Sequence, residues 1–585
     1  MMSRALGARV ASQLRAEPRQ LGLLTHVFLR RITDSELVSQ QGELSVTFSH
    51  VLAFIALPGM LAPLLVMPKY SYLATLPDWI REPYTWDDKL LFVSLSMTLI
   101  GLLTLFHWDE LLLDGRDFST LAALPIRLRT MLGAKIVMLL SFPAVFLVAI
   151  SNVSSILYPV MAMPPGSGLG VYGLTIASHL CAVFAGGAFV FSAILAVQGV
   201  IATLCGNETV RLVVPLLQFA LFLLMLSFFT LAPRMLAGIH PGDDRLGTAM
   251  GLFPPLWCLG LYETMIGGGT APVFGILAGR ALGALSLSVA TVCLIYLYAY
   301  LYKFRTIGEA RRAEAGTRLR PPKVAVWLFE SLLARTPFDR AIILFVGKTI
   351  RRSHIHRLIL IGFISVGFMI AFEGLMALLA QTGGPRDGQR TPLLAMQLIL
   401  TFFVLVGLRM VYAIPAELRA NWVFQSAVTE EPRACQTGVR KAMFYCGACP
   451  ILILLFPAYV VQWGWSEAVF HLGVGFACSC LLIDALLMGF TKIPFACAYL
   501  PGRARMTVRW PFYWLAFTAY GYGMASIEAW IMEGSAVRFV SAAAIMLAAI
   551  AALRILSVRS VRNHALLYDE EPEPYLCTLE LNRVE

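Results

Sequence analysis

The chain has 585 residues, of which 58% are hydrophobic and only 14% are charged. Soluble domains carry about 25% charged residues, so this composition excludes an ordinary soluble globular protein. Apolar stretches of bilayer length that show no polar alternation can satisfy their backbone groups in lipid only as helices. We therefore predict an all-α polytopic membrane protein with lipid around most of its surface.

Twelve such stretches follow one another along the chain, six in each half. In the first half they are 46–67, 89–107, 136–158, 172–205, 211–233 and 281–302. In the second half they are 357–380, 393–413, 443–463, 467–490, 510–531 and 536–558. The fourth stretch is long for one helix, but dividing it would invert every later loop. Gly186 and Gly187 at its middle favour a bend or a close contact between helices.

The net charge of +11 is explained by membrane topology. With both termini inside, about 37 Lys and Arg lie on the inner side and about 9 on the outer side, as the positive-inside rule requires. We predict a multi-pass protein of the plasma or inner membrane whose N-terminal segment, 1–45, and C-terminal tail, 559–585, are cytoplasmic. The basic balance therefore calls for no nucleic-acid partner.

The N-terminal segment contains an amphipathic pattern. Leu21, Leu24, Phe28 and Ile32 recur at helical spacing. The pattern predicts a helix that lies in the inner membrane interface before the first span. A solvated tail is the alternative.

Cysteine and histidine pairs do not predict a redox or metal site. Cys446 and Cys449 have the spacing of a redox motif, but they begin the ninth span without a thioredoxin-like context, so we expect two small buried residues on a helix. His354 and His356 lie in a basic loop with no further ligands nearby, so we expect a solvated basic surface there.

Gly347-Lys348-Thr349 resembles the end of a phosphate-binding loop. The glycine required five residues earlier is absent, because Ile342 stands there, and no strand precedes the segment. The sequence also has no nucleophile elbow, zinc-protease motif or Gly-rich dinucleotide turn. We therefore expect no ATPase site, no other enzymatic centre and no cofactor in this chain.

The loop between the second and third spans carries the most specific pattern. Residues 114–135 predict a short amphipathic helix, a break at a proline, and an amphipathic turn leading to a lysine at the membrane entry. This loop resembles the first cytoplasmic loop of membrane subunits of type-2 ABC exporters. The resemblance is carried by Asp117, Leu121, Leu124, Pro125, Ile126 and Lys135. It implies a coupling helix that rests in a groove of a separate ATPase, which binds the ATP; an ordinary loop with a proline is the alternative.

A short apolar segment between the fifth and sixth spans is a second feature of the resemblance. It begins at Phe253-Pro254-Pro255-Leu256-Trp257 and ends at Gly267-Gly268-Gly269, which is too short to cross a bilayer. The family commonly has re-entrant or interfacial helices at this place. Trp257 and Tyr262 suit the headgroup level. The resemblance implies that 46–303 is a six-span permease-like half.

The second half, 357–558, follows a basic segment, 304–356, that we interpret as a cytoplasmic linker with an amphipathic helix. Six further spans give this half the same orientation as the first, which indicates a diverged repeat. In its loop, Glu417 and Pro432 have the spacing of Glu110 and Pro125. The candidate contacts to a second ATPase copy are Glu417, Trp422, Phe424 and Pro432. An unrelated accessory domain is the alternative, because few individual residues match.

Three carboxylates fall inside predicted spans of the second half: Glu373, Asp484 and Glu528. Carboxylates at such depth are costly and usually face the bundle interior or a water-filled cavity. Each is a candidate for a substrate or ion path, and a hydrogen bond to a neighbouring helix is the simpler alternative.

The leading function is therefore the transmembrane subunit of an ATP-driven exporter with a separate cytoplasmic ATPase. The second hypothesis is an ion-coupled secondary transporter, which also commonly has twelve spans in two repeats and would use the intramembrane carboxylates. The third, a membrane-embedded enzyme or scaffold, has no residue in its favour. Lipid, glycan, peptide and drug substrates would all leave the same sequence pattern.

Overall fold

A computed structural model describes most of the chain. The described residues are 18–29, 44–73, 75–111, 126, 128–163, 166–205, 207–236, 250–267, 272–298, 336–379, 391–416, 432–488, 490, 493–496, 506–534 and 536–562. They form helices and no strand. The chain divides into two compact units, Met1–Thr317 and Arg318–Glu585.

The helices of the first unit are numbered in chain order. They are α1 (18–29), α2 (Leu44–Leu73), α3 (Asp78–Phe106), α4 (Trp108–Leu111), α5 (Leu128–Ala162), α6 (Leu169–Leu204), α7 (Asn207–Met235), α8 (Pro254–Ile266) and α9 (Pro272–Tyr298).

The second unit continues the numbering. Its helices are α10 (Pro337–Arg352), α11 (His354–Leu379), α12 (Thr391–Val411), α13 (Pro432–Met443), α14 (Cys449–Trp463), α15 (Trp465–Leu486), α16 (Met506–Thr518), α17 (Met524–Met532) and α18 (Ala536–Arg562). Two π-helical turns, Phe444–Ala448 and Ala519–Gly523, join α13 to α14 and α16 to α17.

Among the described residues, eleven helices are long and apolar enough to cross a membrane, which confirms an all-α polytopic membrane protein. They overlap every predicted span except 510–531. That segment consists of α16, the π-helical turn Ala519–Gly523 and α17. The fourth span is one continuous helix, α6. A Cβ at Gly187 would lie 2.4 Å from Leu147 Cδ2, so this glycine permits a close contact with α5.

The second span is the central helix of the first unit. Helix α3 packs against α5, α6, α7 and α8, and most of its apolar length is buried. Helix α2 packs mainly on α5, where a Cβ at Gly59 would lie 1.9 Å from the carbonyl oxygen of Ile150. Because backbone meets backbone there, only glycine allows this approach.

The second unit has a related arrangement. Helix α12 is central and packs against α11, α15, α17 and the π-helical turns. Helix α15 packs on α14 and α18, as α6 packs on α5 and α9 in the first unit. The first spans differ, since α11 packs on α12 whereas α2 packs on α5. The shared pattern is what a diverged repeat would produce.

Candidate functional site

The chain is held firmly where it leaves α3. The short helix α4 buries Trp108 and Leu111. The Gln198 amide of α6 donates a hydrogen bond to the carbonyl oxygen of Trp108, and the Tyr296 hydroxyl of α9 donates one to the carbonyl oxygen of Leu111 at 2.9 Å. The beginning of the loop after α3 is therefore tied to two other spans.

The chain is also held where it enters α5. Lys135 is buried, its ammonium donates to the carbonyl oxygen of Glu110 at 2.7 Å, and it lies 5.2 Å from the centroid of the Phe28 ring. Ile126 packs against the same apolar cluster. These two residues of the predicted coupling loop thus lie at its exit, and Lys135 closes the loop by bonding to its start. Asp117, Leu121, Leu124 and Pro125 lie outside the described residues.

Helix α1 packs beside the two ends of this loop. We call α1, α4 and the start of α5 the frame of the loop. The predicted N-terminal helix is confirmed for 18–29, and Leu24 and Phe28 are buried against Met131 and Met138 of α5. A Cβ at Gly133 would lie 3.2 Å from Leu21 Cδ1. The apolar face that suggested a membrane surface is therefore packed on the third span; Ile32 lies outside the described residues.

Helices α10 and α13 form the frame of the second unit, which corresponds to the contact of α1 with α5 in the first. Ile342, Ile343 and Val346 of α10 are buried, and a Cβ at Gly438 of α13 would lie 2.7 Å from Ile342 Cδ1. The Lys441 ammonium forms an ion pair with Asp339 at 2.5 Å. In both units, an amphipathic helix before the first span thus packs on the start of the third span beside a lysine.

The other predicted residues of the second loop are less informative. Pro432 begins α13, while Glu417, Trp422 and Phe424 lie outside the described residues.

Two other sequence motifs lie on helices. Gly347-Lys348-Thr349 lies within α10, so this segment has helical rather than phosphate-loop conformation. Cys446 is in a π-helical turn and Cys449 begins α14, and both are free thiols on a helix.

His356 does not belong to a solvated basic surface, so that prediction is wrong for this residue. Only 2% of it is exposed. One ring nitrogen is 2.5 Å from Ser353 Oγ and the other is 3.0 Å from the carbonyl oxygen of Ile414. The imidazole thus joins the start of α11 to the turn that follows α12, and both nitrogens of this buried polar ring have partners.

The three intramembrane carboxylates have different surroundings. Asp484 pairs with Arg440 at 2.5 Å, which is the interhelical bond that the simpler alternative foresaw. Glu528 Oε1 is hydrogen-bonded to His471 Nδ1 at 2.7 Å, and both side chains are fully buried. Glu373 is partly buried on α11 and lies near enough to Tyr522 to interact with its phenol. Only Glu528 is sealed from solvent with a titratable partner.

Sequence reasoning missed a second buried pair, in the first unit. Lys89 of α3 and Glu263 of α8 are 2.5 Å apart and only 8% and 1% exposed. The segment predicted to be re-entrant or interfacial is the helix α8, which packs on α3, α6 and α9. Tyr262 is fully buried among these helices. An acidic residue inside a short apolar segment was the available signal.

The pair lies beside further polar groups. The Tyr70 hydroxyl donates to Asp88 at 2.7 Å, and the Lys69 ammonium pairs with the same carboxylate at 2.9 Å. The Tyr158 hydroxyl donates to the carbonyl oxygen of Thr85 at 3.2 Å. The first turns of α3 thus carry a cluster of paired charged side chains. The predicted span, 89–107, began only at the end of this cluster.

Comparison of the chain with protein-family models, with curated proteins and with solved structures finds no match.

Proposed function

We propose that the chain is the membrane-spanning subunit of an ATP-driven exporter that works with a separate cytoplasmic ABC-type ATPase. ATP is then bound and hydrolysed on the partner, and the spans of this chain move the exported substrate across the plasma or inner membrane. The two units act as a pseudo-dimer, each offering one loop to one ATPase copy, with both termini and the segment between the units in the cytoplasm.

The observation that carries the proposal is the frame around the loop that follows α3. A loop can transmit movement to the membrane only where its ends are fixed to the spans. Here Gln198 and Tyr296 hold the start, and Lys135 ties the end back to Glu110. Displacement of residues 112–125 would therefore reach α3, α5, α6 and α9 together. A loop that merely connected two spans would not need buried polar bonds to two further helices.

The second unit supports the same proposal. The contact of α10 with α13, with its Asp339–Lys441 ion pair, repeats the contact of α1 with α5. A fused pair of permease halves would need this equivalence, because each half must present its loop from a comparable platform. An accessory domain would have no reason to repeat it.

Binding of the ATPase tests the proposal. Leu121→Asp/Leu124→Asp removes two apolar contacts worth about 1.5–3 kcal/mol each. We expect co-purification of the ATPase with the tagged chain to fall at least tenfold, and also to fall for Trp422→Asp/Phe424→Asp. The matched control is Asp243→Lys/Asp244→Lys, a double charge change in the predicted outer loop, which should leave co-purification intact.

Unchanged co-purification after the double leucine substitution would remove the main support for export. It would favour the second candidate, an ion-coupled secondary transporter. One observation speaks for that candidate: Glu528 is a fully buried carboxylate inside the second unit. Carboxylates at this depth commonly serve proton or ion transfer.

A further inference from the structure

The fourth span of each unit buries a histidine at a corresponding place. His179 of α6 and His471 of α15 are both 0% exposed. Each ring contacts a tyrosine located four residues before the end of the preceding helix, Tyr158 in α5 and Tyr459 in α14. The centroid distances are 5.5 Å and 4.6 Å. The two units thus contain an equivalent imidazole layer.

The charges around the two rings are opposite. The charged neighbour of His179 is the Lys89 ammonium, and neither ring nitrogen has a hydrogen-bond partner among the described residues. A second positive charge on His179 is therefore disfavoured. The neighbour of His471 is Glu528, whose Oε1 lies 2.7 Å from Nδ1. Only the second unit offers its histidine a counter-charge.

A hydrogen bond joins His471 and Glu528. The 2.7 Å distance between Nδ1 and Oε1 requires a proton between these two atoms. The rings of Tyr459 and Trp463 lie 4.6 Å and 5.6 Å from the imidazole, within the range at which aromatic rings stabilise a cation. With the imidazole protonated the pair is neutral overall, which suits a fully buried site.

Polar groups adjoin the pair from several helices. The Tyr459 phenol of α14 and the Cys478 thiol of α15 interact with Glu528. Gln397 of α12 abuts α15 at Gly475, one turn after His471, where a Cβ would clash with the Gln397 amide nitrogen. The π-helical turn Ala519–Gly523 precedes Glu528 in the same span, and such turns are frequent at functional sites.

Two other acidic residues lie on α15, and Glu467, which is partly buried, comes one turn before His471. Asp484, with Arg440 of α13 and Arg554 of α18 beside it, is about 20 Å farther along the helix at 1.5 Å per residue. His471 Nε2, Glu528 Oε2 and the Gln397 amide atoms have no partner among the described residues. His471 Nε2 can therefore bind or lose a proton without breaking the bond to Glu528.

We propose that His471 and Glu528 form a proton-binding site of the second unit, in which the bound proton is the second proton of the imidazole. On release, the Nε2–H bond breaks, its electron pair stays on the imidazole, the proton passes to bulk solvent, and the hydrogen bond between Nδ1 and the Glu528 carboxylate remains. His179 is the equivalent position without this capacity. The site goes beyond the export function and does not rest on it.

Trp463 provides a built-in reporter. A protonated imidazole quenches the fluorescence of a tryptophan in contact with it, whereas a neutral imidazole quenches weakly. Purified full-length protein, titrated from about pH 5 to pH 10, should show an increase in emission as His471 loses its proton. This increase should vanish in Trp463→Phe and in His471→Gln. Glu528→Gln should move its midpoint at least about one pH unit lower, because the cation loses its counter-charge.

The matched control is His179→Gln, which removes the equivalent imidazole of the first unit and should leave the titration unchanged. Comparison of wild type with Trp463→Phe alters neither member of the pair, so the result is decisive even where the pair variants do not fold. A flat titration of the wild type would show a purely structural pair and overturn the proposal. So would a pH step that persists in Trp463→Phe.

Discussion

The Lys89–Glu263 ion pair allows a quantitative test of the first unit. Glu263→Ala would leave the Lys89 ammonium buried without a counter-charge, since Lys89 is only 8% exposed. Breaking a buried pair by removing one partner costs about 3–5 kcal/mol. Lys69→Met is the internal comparison, because Lys69 is 33% exposed and Asp88 keeps its hydrogen bond from Tyr70. The expected loss for this variant is at most about 1 kcal/mol.

The assay is reversible unfolding in mixed micelles with increasing fraction of denaturing detergent, followed by circular dichroism. A second arm is the double variant Lys89→Met/Glu263→Leu, which removes both charges and should recover most of the stability lost in Glu263→Ala. Equal stability of Glu263→Ala and Lys69→Met would refute the reasoning, because it would mean that water reaches Lys89 or that α8 does not pack on α3.

Two further predictions concern packing and topology. Gly59→Ala should destabilise the first unit by about 1–3 kcal/mol, because its Cβ would meet the Ile150 carbonyl at 1.9 Å, whereas Gly283→Ala, with nothing within 4 Å, should be neutral or slightly stabilising; equal unfolding curves would contradict the α2–α5 contact. Arg320→Cys should react with a membrane-impermeant thiol reagent only in inside-out vesicles, since the basic segment between the units is predicted to be cytoplasmic, and labelling from outside intact cells would overturn the orientation.

The spans could be predicted because lipid imposes one requirement on every residue of a crossing helix. Amphipathic faces could be predicted equally well, as Leu24, Phe28 and Lys135 show by converging at the start of α5. The surface that covers such a face could not be predicted, because sequence periodicity does not distinguish a membrane surface from a neighbouring helix. The apolar face of α1, for example, packs on α5.

The polar pairs could not be predicted from the sequence. Lys89 and Glu263 are 174 residues apart, and only the packing of α8 on α3 brings them together. His356 was misjudged because its neighbours in sequence are basic, although its partner, the Ile414 carbonyl, is 58 residues away. Glu528 was singled out by depth alone, but its partner His471 depends on the rotation of two helices, which no local pattern specifies.

ATP hydrolysis by the purified protein tests the central claim most directly. The tagged chain, isolated from its native membranes in mild detergent and returned to lipid, should hydrolyse ATP through a co-purified ATPase subunit. Hydrolysis should disappear when that subunit is stripped away, and it should return when the subunit is added back to the wild-type chain but not to Leu121→Asp/Leu124→Asp. Wild-type preparations that contain no ATPase subunit, or hydrolysis that stays with the stripped chain, would contradict the proposed exporter.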